Sequence, residues 1–332
     1  MKARVIQRGE ALPIGAVLSR TVGPLAKGTV LSPEDVARLR DLPWNELHVL
    51  EMGPGDVHED EAGRRLSAAA AGEGVAVQPL AAGSWPLTAR HRGLVQVDAA
   101  RLAQLNDSDD LAVVTLPDGQ VVVENEIVGR AKIVPFVIGE QEVRRAEQLG
   151  PVLRVRPFLR QRVAAVVQEK LDDASLAKFR KVFEEKIAFF GSEVIAVVRA
   201  EDLVGTLRDV LGRGAQFVAM AGSKLMDPLD SAVLALLESG ATMEKHGVPL
   251  HPGTLLWLAY LQGVPVVGAP GCALFSKPTS FDLLLPRLLA GERLGRAQLA
   301  QLGAGGLLTK EMAFRFPPYR AGVPRGELES SM

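Results

Sequence analysis

The chain has 332 residues, with 38 Lys and Arg against 39 Asp and Glu, a formal net charge of −1, and 47% apolar residues. That length can bury a large core in two or more domains, while the balanced charge and the absence of a long basic run argue against nucleic acid or an anionic membrane as partner. Cys272 is the one cysteine, which excludes an intrachain disulfide framework and a cysteine-rich zinc site. No run of roughly eighteen apolar residues reads as a membrane span. The opening "MKARVIQRGEALPIG" lacks the apolar core of a secretory signal, so a cytoplasmic location is expected.

Residues 1–155 read as a mixed, β-rich region, with room for two small subdomains. "LSPEDVARLRDL" carries a helix start, with Ser32 as cap, Pro33 in the first turn, and Glu34 and Asp35 near the positive end. "NELHVLEM" reads as a strand and "EDEAGRRLSAAAAGEG" as a second helix. "LAVVTLPDGQVVVENE" predicts a hairpin, two β-branched runs around "PDG". "AKIVPFVIG" predicts a strand interrupted by Pro135.

From about residue 156 to 300, strands alternate with helices. "RVAAVVQ", "EVIAVVR", "AQFVAM" and "VPVVGAPG" are apolar strands. Between them lies a helix with Leu176, Phe179, Val182, Phe183 and Ile187 on one face, then "DLVGTLRDVLGRG", then a helix over 229–239. "SFDLLLPRLLAG" closes the series, with a kink expected at Pro286. This alternation predicts an α/β fold, a parallel sheet covered on both faces. Residues 301–332 form a tail rich in glycine and proline. Its last ten residues are expected to be loose and its aromatic part to pack on the domain.

In such sheets ligands sit beyond the carboxyl ends of the strands. Two polar loops fall there. The first, "AMAGSKLMDPLD", offers Gly222, Ser223 and Lys224 for a phosphate: close backbone approach, a hydroxyl and a mobile positive charge. Asp227 and Asp230 suit a bridging magnesium ion, donors on a ring system, or a helix cap. On the plainer alternative, Asp227 only caps the helix ahead of Pro228 and Lys224 is solvated. The second loop, "GAPGCALFSKPTS", offers Pro270 and Gly271 as a rigid turn, and Ser276 and Lys277 as ligand contacts. It also reads as a simple chain reversal.

Other features favour bland readings. Cys272 lacks an evident partner base and reads as a small buried residue. His246 and His251, in "EKHGVPLHPG", suit a loop lining a pocket better than a zinc pair, since no third ligand is evident. Asp56, His58, Glu59, Asp60 and Glu61 offer a metal cluster or, preferably, the acidic first turn of a helix. No Walker lysine loop, dinucleotide fingerprint or Ser–His–Asp arrangement occurs.

The two loops in this order resemble the molybdopterin-binding domain of molybdenum-cofactor biosynthesis proteins, also found in competence-damage-inducible proteins. Ala221, Gly222, Ser223 and Asp230 match its strand–glycine–hydroxyl–aspartate signature, with "DPLD" in the form of a full-length molybdopterin-binding branch. Pro270 and Gly271 match its second turn, and "HGVPLHPG" its intervening segment. "LPIGAVLSRTVGPLAKGTVLSPEDVARL", "HVLEMGPGDVHEDEAGRRL" and "GRAKIVPFVI" resemble that branch's N-terminal half. The chain departs from the pattern at Ala221, where a glycine is usual, and after Gly271, where asparagine is missing. It departs again at Gln168, Glu169 and Lys170, in place of a threonine–glycine ending, and in a tail without the cysteines many members carry.

The resemblance implies a three-layer molybdopterin-binding domain over 156–300. It implies molybdopterin or molybdenum cofactor as ligand, with Mg2+ or molybdate near Asp227 and Asp230. It further implies an acceptor molybdoenzyme and self-association. The departures favour binding, in cofactor assembly, insertion or delivery, over transferase chemistry. The alternatives are a magnesium-dependent nucleotide or dinucleotide pyrophosphate hydrolase and a regulatory protein with a decayed pocket.

Overall fold

The computed structural model describes residues 1–81, 83–168, 171–222, 229–269 and 279–319. Backbone packing divides the chain into two compact units. The first comprises Met1–His91, Val95–Asp118 and Val123–Val155; the second takes Arg92–Leu94, Gly119–Val122 and the chain from Arg156 onward.

In the first unit, strand Lys2–Gln7 pairs antiparallel with Glu46–Glu51, which also pairs Val17–Leu18. Ile6, Leu18, Leu31, Leu39, Leu47 and Val49 form the core beneath them. Helix Pro33–Asp41 begins as its sequence predicts. Ser32 accepts the Asp35 N–H at 3.1 Å, and Asp35 accepts the Ser32 N–H at 3.2 Å, a reciprocal capping box. The acidic cluster is a helix start: Glu59, Asp60 and Glu61 occupy the first turn of Glu59–Ala70, and His58 Nδ1 accepts the Asp60 N–H at 3.2 Å.

The "LPDG" hairpin does not form. Leu111–Thr115 pairs instead with Ile127–Ile133, in a register of five residue pairs, while Val121–Val122 pairs with Gly93 and Leu94. The longer strand lets Leu111 and Val113 bury beside Ala131 and Ile133, more apolar area than two valines across a turn supply. The interruption at Pro135 does occur: Ile127–Ile133 ends before it, and Val137–Gly139 pairs with Asp56–His58.

Arg65 on the Glu59–Ala70 helix ties down the Glu140–Leu149 helix. It donates to both oxygens of Glu140, at 2.7 and 3.0 Å, and to both of Glu147, at 2.8 Å each. Hydrogen bonds from Arg65, then Arg144, lower the Glu140 carboxyl to about 2. A carboxylate lowered on folding stabilises fully above its ordinary value, and that stabilisation is lost as pH falls toward 2. Acid unfolding followed by circular dichroism should therefore show a steeper loss below pH about 4.5 in the wild type than in Glu140→Gln. Equal slopes would remove this pair from the acid response.

The second unit is built on a six-stranded mixed sheet. In spatial order its strands are Glu193–Arg199, Arg162–Val167, Phe217–Ala221, Val264–Ala269, Trp257–Leu261 and Thr242–His246. The first four run parallel and the 257–261 strand antiparallel. The last two strands correct the sequence reading, which has a loop through His246 and no strand at 257–261. Lys245 and His246 are polar edge residues, so that strand lacks the apolar run that marks the four parallel ones.

Alternate residues of the strands feed two cores. Val163, Ala165 and Val167 pack with Phe179, Phe183 and Ile187 of helix Asp173–Phe189, and with Phe281, Leu284 and Leu285 of helix Ser280–Leu289. Ala164 and Val166 pack with Leu203, Leu207 and Val210 of helix Leu203–Gly212, and with Ala232, Ala235 and Leu236 of helix Ser231–Glu238. The period of two in the strands and the helical repeat in the intervening segments are what divide the residues this way.

Lys186 and Asp282, 6% and 0% exposed, form an ion pair at 2.8 Å within the first of these cores. Tyr319 donates to the same Asp282 oxygen at 2.6 Å, and the other oxygen accepts the Thr279 N–H at 2.8 Å. Burial, then the Asp282 charge, holds the Tyr319 hydroxyl well above the ordinary phenol range. Its ring meets Phe189 and Phe190 edge-on. The aromatic tail thus packs on the domain, as its composition suggests.

Candidate functional site

The carboxyl ends of the four parallel strands finish in one row. Arg199 is in register with Val167, Val167 with Ala221, and Ala221 with Ala269. Three backbone hydrogen bonds close the row: Ala200 N–H to Val167 at 3.1 Å, Gln168 N–H to Ala221 at 2.9 Å, and Gly222 N–H to Ala269 at 3.0 Å. Neighbouring strands lie about 4.8 Å apart, so the strand ends from which the two sequence-predicted loops start, Ala221 and Ala269, stand side by side.

The chain passes from the 162–167 strand outward to 193–199, then back across to 217–221. Strand order therefore reverses between 162–167 and 217–221, the crevice where ligands sit in open α/β sheets. Gln168 and Gly222 stand at its mouth. Gln168 Oε1 is buried and has no hydrogen-bond partner among the described residues, a state in which buried acceptors are rarely left. Gly222 has φ of +91°, a conformation that side chains resist.

Three of the helices that follow these strands share one device. Asp172 accepts the Ser175 N–H at 2.7 Å, Asp202 the Gly205 N–H at 3.0 Å, and Asp230 the Ala232 N–H at 2.8 Å. Hydrogen bonds from Ser175 hold the Asp172 carboxyl below its usual range. Each cap offsets the positive end of its helix. Of the two aspartates to which a cap was open, Asp230 caps the Ser231–Glu238 helix, while Asp227 lies outside the described residues. The Gly222 and Ala232 amides are both engaged.

Of the sequence-predicted site residues, Gly222 and Asp230 are described, the one just past the 217–221 strand and the other at the start of the Ser231–Glu238 helix. Ser223, Lys224, Asp227, Pro270, Gly271, Ser276 and Lys277 lie outside the described residues, as do Cys272, Glu169 and Lys170. Among the described residues no group of three or more His, Cys, Asp or Glu side chains is placed to hold a metal ion, and no helix is long and apolar enough to cross a membrane. His251 engages through its backbone, its N–H reaching the Gly306 carbonyl at 2.8 Å. Sequence reasoning gave no site role to Gln168; its position one residue past an apolar strand was the available signal. Lys186 was also missed, although it shares a helical face with Phe179, Phe183 and Ile187.

No protein-family model matches the chain, and no curated protein matches it. Solved structures give remote likenesses. The molybdopterin biosynthesis moeA protein from Pyrococcus horikosii is 15% identical, the match spanning 71% of this chain and 79% of that one, with a TM-score of 0.31. A Corynebacterium diphtheriae protein assigned to molybdenum cofactor biosynthesis is 15% identical over 45% of this chain and 99% of its own, with a TM-score of 0.29. A MogA structure is 16% identical over 45% and 97%, with a TM-score of 0.25. At such scores function has to be argued from the residues themselves.

Proposed function

We propose that the second unit is a three-layer molybdopterin-binding domain, taking molybdopterin or its metal-loaded form at the carboxyl edge of its parallel strands. The task is cofactor assembly, insertion or delivery. The observation that carries the reading is the register of Ala221 with Ala269, which starts both signature loops from adjacent strands beside the unpartnered Gln168 oxygen. A pterin ring is rich in N–H donors, which suits that buried acceptor. Gly222 allows close backbone approach to the terminal phosphate, Ser223 and Lys224 hold it, and Pro270, Gly271, Ser276 and Lys277 flank the ring system. Asp227 or Asp230 would hold a magnesium ion, which would bridge to the phosphate or to molybdate nearby. The partners are a phosphorylated pterin, an acceptor molybdoenzyme and further copies of the chain.

Two substitutions separate ligand binding from folding. Asn caps a helix about as well as Asp, so Asp230→Asn should leave the melting temperature nearly unchanged while weakening magnesium-dependent pterin binding at least about tenfold, a change of about 1.4 kcal/mol. Gly222→Val places a β-branched residue at positive φ and should abolish binding. Isothermal titration with a phosphorylated pterin reads both. Full affinity in both folded variants would place the ligand elsewhere.

A further inference from the structure

The 193–199 strand is an outer edge of the six-stranded sheet. Between Glu193 and Arg199 it runs Val194, Ile195, Ala196, Val197 and Val198, all apolar and all but one β-branched, with neither glycine nor proline. Such a run on an open edge is a template for another strand.

Hydrogen bonds fix which of its peptide groups face out. Glu193 N–H reaches the Gln161 carbonyl and Ala200 N–H the Val167 carbonyl, so both of these residues face the neighbouring strand. Counting back from Ala200 by alternation, Val197 faces outward. The register steps from Val194 to Ala196, which leaves Ile195 without an opposite residue.

Both of these carbonyls have a side-chain donor. Arg180, on helix Asp173–Phe189, donates to the Val197 carbonyl at 3.1 Å. Arg213, at the end of helix Leu203–Gly212, donates to the Ile195 carbonyl at 3.0 Å. Arg213 meets Asp209 only loosely, at 3.5 Å, and gives its shorter bond to the edge. The two helices belong to the two separate cores, so the edge is closed from both faces of the sheet.

The same device recurs at other edges. Arg296 donates to the Glu244 carbonyl at 3.3 Å, where a register shift leaves Glu244 unpaired in the 242–246 strand. Within the first unit, Val75–Val77 and Leu111–Thr115 are the outer strands of one sheet. Arg90 donates to the Val75 carbonyl at 3.0 Å. The Asn106 carboxamide pairs with both peptide groups of Val113, at 2.8 and 2.9 Å, as a neighbouring strand would.

We infer that Arg180 and Arg213 shut the 193–199 edge against a second copy of this chain, and that removing them turns this edge into a self-association surface. Each guanidinium takes an acceptor that an incoming strand's N–H needs and sets a charge where its backbone would lie. The strand is complementary to itself. Two antiparallel copies centred on Ala196 place Ile195 opposite a second copy's Val197, and Glu193 opposite its Arg199, an attractive cross-strand pair. The inference concerns the strand edge alone and stands independently of the pterin reading.

Sedimentation of the full chain over a range of concentrations compares wild type with the double variant Arg180→Met, Arg213→Met. The double variant should self-associate at least tenfold more tightly, and its Ile195 and Val197 amides should exchange at least tenfold more slowly once it associates. Losing two cations makes the chain more negative, which by itself opposes association. Arg38→Met, Arg64→Met removes two exposed arginines elsewhere and should leave the wild-type assembly unchanged. Arg213→Met alone frees only the Ile195 carbonyl. It should associate at least threefold more tightly than wild type, and it carries the test if the double variant does not fold. Wild-type assembly in the folded variants, association without slowed exchange at Ile195 and Val197, or equal association of the Arg38, Arg64 variant would each overturn the inference.

Discussion

Lys186→Met is expected to lower the free energy of unfolding by about 3–5 kcal/mol, measured by urea denaturation. The reason is the charge left behind. Asp282 is fully buried, and its partner oxygen already receives Lys186 at 2.8 Å and Tyr319 at 2.6 Å. Removing the ammonium leaves a carboxylate in an apolar core with only neutral donors, and desolvation of an uncompensated ion outweighs the packing that methionine retains. The double variant Lys186→Met, Asp282→Asn should be more stable than Lys186→Met alone, because no lone charge remains and asparagine still accepts the Thr279 N–H. Additive losses in the double variant would show the two side chains to be energetically independent.

Gly268→Ala should cost about 3 kcal/mol, the upper part of the range for overpacking a dense core. A Cβ at this position would stand 1.8 Å from Trp257 Cε2 and 2.1 Å from its Nε1. Trp257 is fully buried on the adjacent antiparallel strand and directly opposite Gly268, so its ring has little room to retreat. The displacement would also reach Ala269, the carbonyl that receives the Gly222 N–H. The near-ultraviolet circular dichroism, to which Trp257 contributes alongside Trp44 and Trp85, should change with the stability. An unaltered spectrum and an unfolding midpoint equal to wild type would mean the ring moves freely.

The parallel half of the second unit was legible because buried strands and amphipathic helices write different periods. Val163 to Val167 is an unbroken apolar run, while Phe179, Phe183 and Ile187 repeat at helical spacing. The antiparallel edge was not legible for a matching reason. His246 and Lys245 face a sheet edge that asks for no apolar side chain. Trp257–Leu261 follows the Pro252–Gly253 turn, but a short continuous apolar run cannot be told from a buried helix segment by periodicity alone. The hairpin at "LPDG" failed because local turn chemistry says only that the chain can reverse. Which strand each run then joins is decided by the apolar area available, here on Ile127–Ile133.

At the candidate site, the sequence showed which residue types could meet a phosphate but not which of their hydrogen bonds were already spent. Gly222 has the backbone freedom expected of it, yet its N–H serves the ladder. Asp230 opens the helix as expected, and does so as a cap. Gln168 carries the unsatisfied atom, a property that depends on its neighbours in space and leaves no trace in its own identity.

On the proposed reading, a phosphorylated pterin occupies the crevice between Gln168 and Gly222. The direct measurement is mass spectrometry of small molecules released by denaturing the purified native chain. A phosphorylated pterin, near one per chain in wild type and absent from folded Gly222→Val, is the predicted result. A pterin-free wild type, prepared from cells that make the cofactor, or equal loading of the variant, would contradict it.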